Sequence, residues 1–498
     1  MSWLQSRTGT LLSSFLLPPL GIVLVWMRPG GVIRKLAISL LLCALTFGYL
    51  LASGLMRYEL AGSGAGVFFS FGTKEQQIEK LEASRVQQAS APPEAPAAAE
   101  ATPATAQAAE AAKPDAAVVP AAYWTDFRGP GRNGIAAEQT IRTQWPLKLL
   151  WKQPIGGGYA SFVFGEGRAY TIEQRRDKEF VTAYDMKTGK EVWSHSYPAF
   201  FQESMGGDGP RATPTYHDGR VYSMGATGEM RVLDAKTGKV VWAKNILTEH
   251  GASNLTWGMC ASPLIVDNMV IVQPGGSNGN SVVAYDKASG SKVWGALDDQ
   301  QAYTSPMLVT LDGKRQILTV TAKRAVGLDP ATGKLLWEYP WVTQYDVNAS
   351  QPVLAGSNQV LLTAGYGHGS GLITIRGGTA SKVWENNRMK NRFNSGVQFE
   401  GHVYGLDESI FSCIRISDGE QMWKAGRYGY GQVILAGGHL IVITEQGELV
   451  LVKPSPKELI EVAKFEAISG KTWNVPAIEG GVLLVRNATE MAAFRLSD

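Results

Sequence analysis

One motif recurs at intervals of 39 to 52 residues through most of the chain, and it limits the fold more than any other feature. An apolar strand ends in Asp, a turn with Thr-Gly or a relative follows, and two apolar residues lead to Trp. The clear copies are AYDMKTGKEVW to Trp193, VLDAKTGKVVW to Trp242, AYDKASGSKVW to Trp294 and GLDPATGKLLW to Trp337. Degenerate copies end at Trp384 and Trp423, and a seventh has Phe465 in place of the indole. This period fits a propeller blade of four antiparallel strands.

The residue types have physical reasons. Gly189, Gly238, Gly290 and Gly333 supply the positive φ that closes a tight hairpin loop, and the Asp side chain accepts from the free amides of that loop. Asp185, Asp234, Asp286 and Asp329 occupy equivalent turns on different blades, so they are read as structural and not as a converging catalytic set. His402 and His439 follow turn glycines as Arg220 does, which makes them one repeated surface position and not a metal site. The Trp offers a flat apolar face to fill the wedge between blades.

Seven marked outer strands leave 471–496 over, enough for three strands, while Leu147 to Ile155 with Trp151 is an outer strand without inner partners. Together these fragments complete an eighth blade and remove the open sheet edges. The expected fold class is all-β: an eight-bladed propeller of four-stranded antiparallel blades, closed by N- and C-terminal strands and preceded by an N-terminal transmembrane helical hairpin. Residues 1–57 are expected to form the anchor, with spans at about 11–27 and 36–56. A short juxtamembrane segment with a helix follows over 58–88, then a linker rich in Ala and Pro over 89–122, then the propeller over 123–498. Arg28, Arg34 and Lys35 fall between the apolar runs, and short basic loops stay in the cytoplasm, so the propeller is expected in the periplasm of a bacterial inner-membrane protein.

The charge balance, 47 basic against 44 acidic residues, lacks the basic excess of a nucleic-acid binder. Three cysteines, Cys43, Cys260 and Cys413, make neither a disulfide framework nor a four-thiolate zinc site. The informative residues are those outside the repeat at the starts of the innermost strands, which face the channel. These starts are small and hydroxyl-rich, as crowding near the axis requires. Arg211, Trp257, Asp346, Asn348, Arg392, Lys471 and Trp473 add charge and large rings at the same mouth. They suggest a pocket for an anionic or carbonyl-bearing ligand. The longest loops, about 196–209 and 245–258, share that face.

The Asp-x-x-Thr-Gly-x-x-x-Trp stretches resemble the PQQ-like propellers with quinoprotein-type repeats. WTDFRGPGRNG (124–134), GPRATPT (209–215) and YDVNASQP (345–352) look most like the BamB-like envelope group of that family. The resemblance implies a noncatalytic binding or assembly scaffold without cofactor or metal, whose pocket face meets an envelope protein or polymer. The alternative that it implies is a dehydrogenase that uses pyrroloquinoline quinone with calcium to oxidise alcohols or sugars. There Trp257 or Trp473 would stack on the quinone, Arg211 and Lys471 would hold its carboxylates or carbonyls, and Asp346 would be the catalytic base. The adjacent cysteine pair that roofs the cofactor in such dehydrogenases is missing here.

Overall fold

The computed structural model describes residues 18–27, 29–64, 66–90 and 123–497. Residues 11–17 of the first expected span, Arg28 of the basic loop and 91–122 of the expected linker lie outside the described residues. The chain forms two compact units, Met1–Leu60 with Val67–Glu79, and Ala61–Gly66 with Lys80–Asp498.

In the first unit, helices cover Pro18–Trp26 and Val32–Ala52. The second, of 21 residues, is long and apolar enough to cross a membrane. It differs from the expected 36–56. Arg34 and Lys35 lie in its first turn instead of in a loop, and it stops at Ala52, where the Ser53 N–H donates back to Tyr49 O at 2.9 Å. The chain then enters an antiparallel hairpin, Met56–Leu60 with Val67–Phe71, which was not expected from the sequence. In VFFSF exposed and partly buried residues alternate, as in a strand with one covered face. A helix runs over Lys74–Ser90. Within the second unit its Arg85 donates to Pro154 O at 2.8 Å and pairs with Glu191 at 3.2 Å, and Glu82 pairs with Arg176 at 2.8 Å.

The second unit contains the propeller. Eight sheets follow in order, the first made of Val163–Gly165, Arg168–Arg175, Lys178–Asp185 and Glu191–Pro198. The eighth combines Ala477–Glu479, Val482–Arg486 and Glu490–Arg495 with Lys148–Pro154 as its outer strand, Trp151 opposite Ala493. The closure expected from the two chain ends is therefore present. The seventh sheet has an unexpected extra edge, Ile135–Ala136, parallel to Gln432–Ala436.

The repeated turn works as its residues imply. Asp234 Oδ1 accepts from Thr237 N at 2.8 Å and Thr237 Oγ1 at 2.6 Å, and Asp185, Asp286 and Asp329 make the same bonds. The Thr237 hydroxyl and amide hold the Asp234 carboxyl below its usual range.

The indoles of all but one outer strand that carries a Trp are bound to the next blade. Trp151 Nε1 donates to Met186 O at 2.9 Å, Trp193 to Ala235 O at 2.9 Å, Trp242 to Lys287 O at 3.1 Å and Trp294 to Pro330 O at 3.1 Å, each the carbonyl after the turn Asp. The turn glycine lies under the same ring. A Cβ on Gly238 would stand 2.6 Å from Trp193 Cε3, and one on Gly189 2.5 Å from Trp151 Cε3. Trp337 departs from this pattern: its Nε1 donates to Gln316 Oε1 of its own blade at 2.5 Å. The reason is the next hairpin, where Arg376 pairs directly with Thr379 across Gly377-Gly378 and no Asp-type loop reaches the indole.

Gly238→Ala should therefore destabilise more than Gly377→Ala. Both positions have positive φ, 71° and 57°, worth about 1–2 kcal/mol against a side chain. Only at Gly238 must the previous blade's indole also move, since nothing lies within 4 Å of a Cβ on Gly377. Urea denaturation of the two variants measures the difference, and equal losses would refute the interblade lock.

Candidate functional site at the channel mouth

The hydroxyl-rich starts of the inner strands are joined to one another around the axis. Ser161 N donates to Thr213 Oγ1 at 2.9 Å, Ser262 N to Ser305 Oγ at 2.9 Å, Ser305 N to Gln351 Oε1 at 2.8 Å and Gln351 N to Ser395 Oγ at 2.9 Å. Ser161 Oγ closes onto Val475 O at 2.5 Å. Each bond links neighbouring blades. These side chains serve the ring, which agrees with a structural role for the small polar residues.

Beyond this belt the segment Asp126–Asn133 forms a floor. Arg132 Nη1 donates to Ser262 O and Pro306 O, both at 3.0 Å, and Asp126 pairs with the same guanidinium at 2.6 Å. Arg128 donates to Val433 O and Gly396 O, both at 3.3 Å. Two buried arginines thus hold inner-strand carbonyls of blades three, four, six and seven.

On the other side of the belt, two residues earlier in each strand, stand Tyr159, Arg211, Cys260, Tyr303, Phe393, Tyr430 and Trp473. A spacing of two in extended chain keeps a side chain on the same face, so a belt of small polar residues carries a collar of large ones. Trp473 touches Phe393 at 4.6 Å and Tyr159 at 5.3 Å between ring centres, and Phe393 meets Tyr430 edge-on at 5.3 Å. The cations lie on these rings: Lys471 is 4.5 Å from the Trp473 centre, Arg211 5.5 Å from Tyr159, and Arg392 5.0 Å from Tyr430 and 5.3 Å from Tyr366. Burial pushes the Tyr366 and Tyr430 hydroxyls up to about 12, which keeps them neutral donors.

Of the seven residues singled out in the sequence, Arg211, Arg392, Lys471 and Trp473 belong to this collar. Trp257 and Asp346 share a neighbouring cleft of about 470 Å³ with Met205, Tyr303 and Tyr345. Asp346 there is paired with Lys323 at 2.7 Å. Asn348 has a different employment: 3% exposed, its Nδ2 donates to the carbonyls of Thr321, Ala322 and Trp341 at 2.9 to 3.2 Å. It braces the connection between blades four and five.

Sequence reasoning missed Tyr159, Tyr303, Phe393 and Tyr430, although the i−2 offset from the belt residues was available to find them. It also missed two carboxylates on the hairpin turns above. Glu408 pairs with Arg392 at 2.6 Å. Glu445, fully buried, accepts from Trp473 Nε1 at 2.9 Å. No sequence pattern marks either, because each sits in an ordinary polar turn.

The sequence profile of the family described as outer membrane protein assembly factor BamB matches residues 142–253 and 177–425. The chain belongs to this family. It is 22% identical over 346 residues to the outer membrane protein assembly factor BamB of Burkholderia pseudomallei, across 65% of this chain and 81% of that protein. A shorter match, 30% identical over 119 residues, is to the dehydrogenase subunit of the quinone alcohol dehydrogenase of Komagataeibacter europaeus. It covers 22% of this chain, which spans only 16% of that subunit's length. The crystal structure of BamB from Moraxella catarrhalis superposes with a TM-score of 0.50 at 16% identity, over 71% of this chain and 98% of that one. At that identity the likeness concerns the fold.

In this BamB-family chain the collar also includes a thiol. Burial pushes Cys260 up to about 12, partly offset by Arg211. Its ordinary value is 9.0, and alkylation needs the thiolate, so at pH 8.5 the native thiol should react with iodoacetamide at least about a hundredfold more slowly than in the unfolded chain. The rate should keep rising about tenfold per pH unit up to about 12, whereas that of the unfolded thiol levels off near 9. Peptide mass mapping after timed labelling checks this, and rapid native labelling at pH 8.5 would refute it.

Proposed function

We propose that this chain is a membrane-anchored, periplasmic binding or assembly scaffold of the bacterial cell envelope, and that its channel mouth binds a protein or polymer without a cofactor. One observation carries the reading: the cleft beside the collar has exposed large apolar residues on its rim. Met205 is 66% and Tyr345 76% exposed, and both line the cleft with Trp257. Met and aromatic residues around a charged, pre-formed depression are what a protein-binding face offers. The cations Arg211, Arg392 and Lys471 then favour a partner that presents carboxylates or carbonyls.

Quinone chemistry is less well supported by the same residues. A calcium-held quinone needs a carboxylate and amide set beside a flat aromatic floor and a free base. Here Asp346 is tied to Lys323, Asn348 is turned to backbone carbonyls, and Trp473 is in contact with the rings of Phe393 and Tyr159. Among the described residues no group of three or more His, Cys, Asp and Glu side chains is placed to hold a metal ion. These contacts favour the reading without a cofactor.

In the test, Arg211→Ala and Lys471→Ala chains are used in cross-linking capture from bacterial membranes. Partner yield should fall about tenfold or more, the loss typical of a charged contact buried on binding, with the melting temperature nearly unchanged. Added pyrroloquinoline quinone with calcium should give no dye reduction with alcohols or sugars. Stoichiometric quinone binding with turnover lost in Asp346→Asn would overturn the proposal.

The anchor in this reading is Val32–Ala52, with Arg28, Arg34 and Lys35 on the cytoplasmic side. Alkaline phosphatase fused after Gln88 should then be active in cells. An inactive fusion, with a cytoplasmic reporter active at the same point, reverses the orientation.

A further inference from the structure

The collar pocket around Glu445 already holds a piece of this chain. The loop Ala61–Gly66, part of the propeller unit, is a tight turn in which Gly64 N donates to Ala61 O at 2.9 Å and Ala61 N to Gly66 O at 3.0 Å. Its Gly62 N donates to Glu445 Oε1 at 2.7 Å, and Ser63 Oγ donates to Glu445 Oε2 at 2.5 Å. Trp473 Nε1 supplies the third donor to the carboxylate, at 2.9 Å. Glu445 is fully buried, so two of its three donors come from a segment about 380 positions away in the sequence.

The fit is selective. A Cβ on Gly62 would stand 2.6 Å from Trp473 Cζ2 and 2.8 Å from Tyr430 Cδ2, and both rings are themselves held by Phe393. Only glycine enters there, and the next residue meets a carboxylate oxygen that calls for a hydroxyl. Nothing in the propeller fold needs these bonds, since ring closure is complete without residues 61–66. If the loop leaves, Glu445 gives up two of its three donors to water, and a ligand with an N–H and an O–H at the same spacing restores the pair that the loop supplies.

We propose that the Glu445–Trp473–Tyr430 pocket is a recognition site for a polypeptide turn with glycine followed by serine, and that the chain's own Ala61–Gly66 loop occupies it in cis. A partner with such a turn binds by displacing the loop. This rests on the scaffold reading above and adds to it the chemistry of the partner and a built-in competitor.

The experiment uses the full-length chain in detergent and a dye-labelled peptide of residues 60–67, Leu-Ala-Gly-Ser-Gly-Ala-Gly-Val, read by fluorescence anisotropy. Gly62→Leu in the chain expels the loop, so the peptide should bind at least tenfold more tightly than to the unaltered chain. Ser63→Ala, a milder change, should shift affinity in the same direction by less. Adding Glu445→Gln to Gly62→Leu should abolish most of the gain, and a peptide with the same Gly62→Leu change should not bind. Equal peptide affinity for the unaltered and Gly62→Leu chains, or a gain that survives Glu445→Gln, overturns the proposal. Membrane cross-linking on the same samples separates the two readings. Partner capture that still depends on Arg211 while the peptide fails refutes the turn site and leaves the scaffold standing.

Discussion

A propeller holds together only if each blade is bound to the next all the way round, and here the outer bond at six of the eight junctions is an indole of one blade donating to a backbone carbonyl in the turn of its neighbour. Because the acceptor belongs to the backbone, the turn sequence can change while the bond remains. Trp384 donates to Ile416 O and Trp423 to Ser455 O, both at 2.8 Å, although neither turn keeps the Asp and Thr of the clear copies. Only a shortened hairpin removes the acceptor, and Trp337 then turns to Gln316. Near the axis a second set of bonds repeats the coupling through hydroxyls and Gln351. The ring is fastened at two radii.

This fastening explains the division of labour along the axis. The belt takes up the polar groups of the inner strands, and Arg128 and Arg132 occupy the carbonyls on the floor side. Burial pushes the Arg128 guanidinium down to about 10, which leaves it charged at neutral pH and able to hold those carbonyls. The collar side is relieved of structural duty, so large rings and cations collect there. Edge-on and tilted packing lets Trp473, Phe393, Tyr159 and Tyr430 form a wall that keeps its shape while its rim faces outward.

The charges of this site already have partners or aromatic faces, as with Arg392 on Glu408 and Asp346 on Lys323, so a ligand at the mouth has to exchange existing contacts. The low sequence identity to BamB relatives is compatible with this arrangement, because the repeat governs the scaffold while the mouth residues lie outside it and can vary without disturbing a blade.

The blades, their number and their closure were legible in the sequence because they rest on local, periodic signals: a turn glycine, a strand alternation, an aromatic at fixed spacing. Asp185 and its equivalents could be set aside as turn residues for the same reason. The hairpin at 56–71 lies outside the repeat, so no recurring motif marked it. Among the mouth residues, charge and ring size singled out Arg211, Arg392, Lys471 and Trp473, but not what they touch. Whether Asn348 faces a ligand or a backbone carbonyl, whether Trp257 and Asp346 share a cleft, and which residue meets Glu445 all depend on contacts between residues tens to hundreds of positions apart. Periodicity constrains neighbours along the chain, whereas only the tertiary structure brings Gly62 and Ser63 to Glu445 and so decides what the mouth holds.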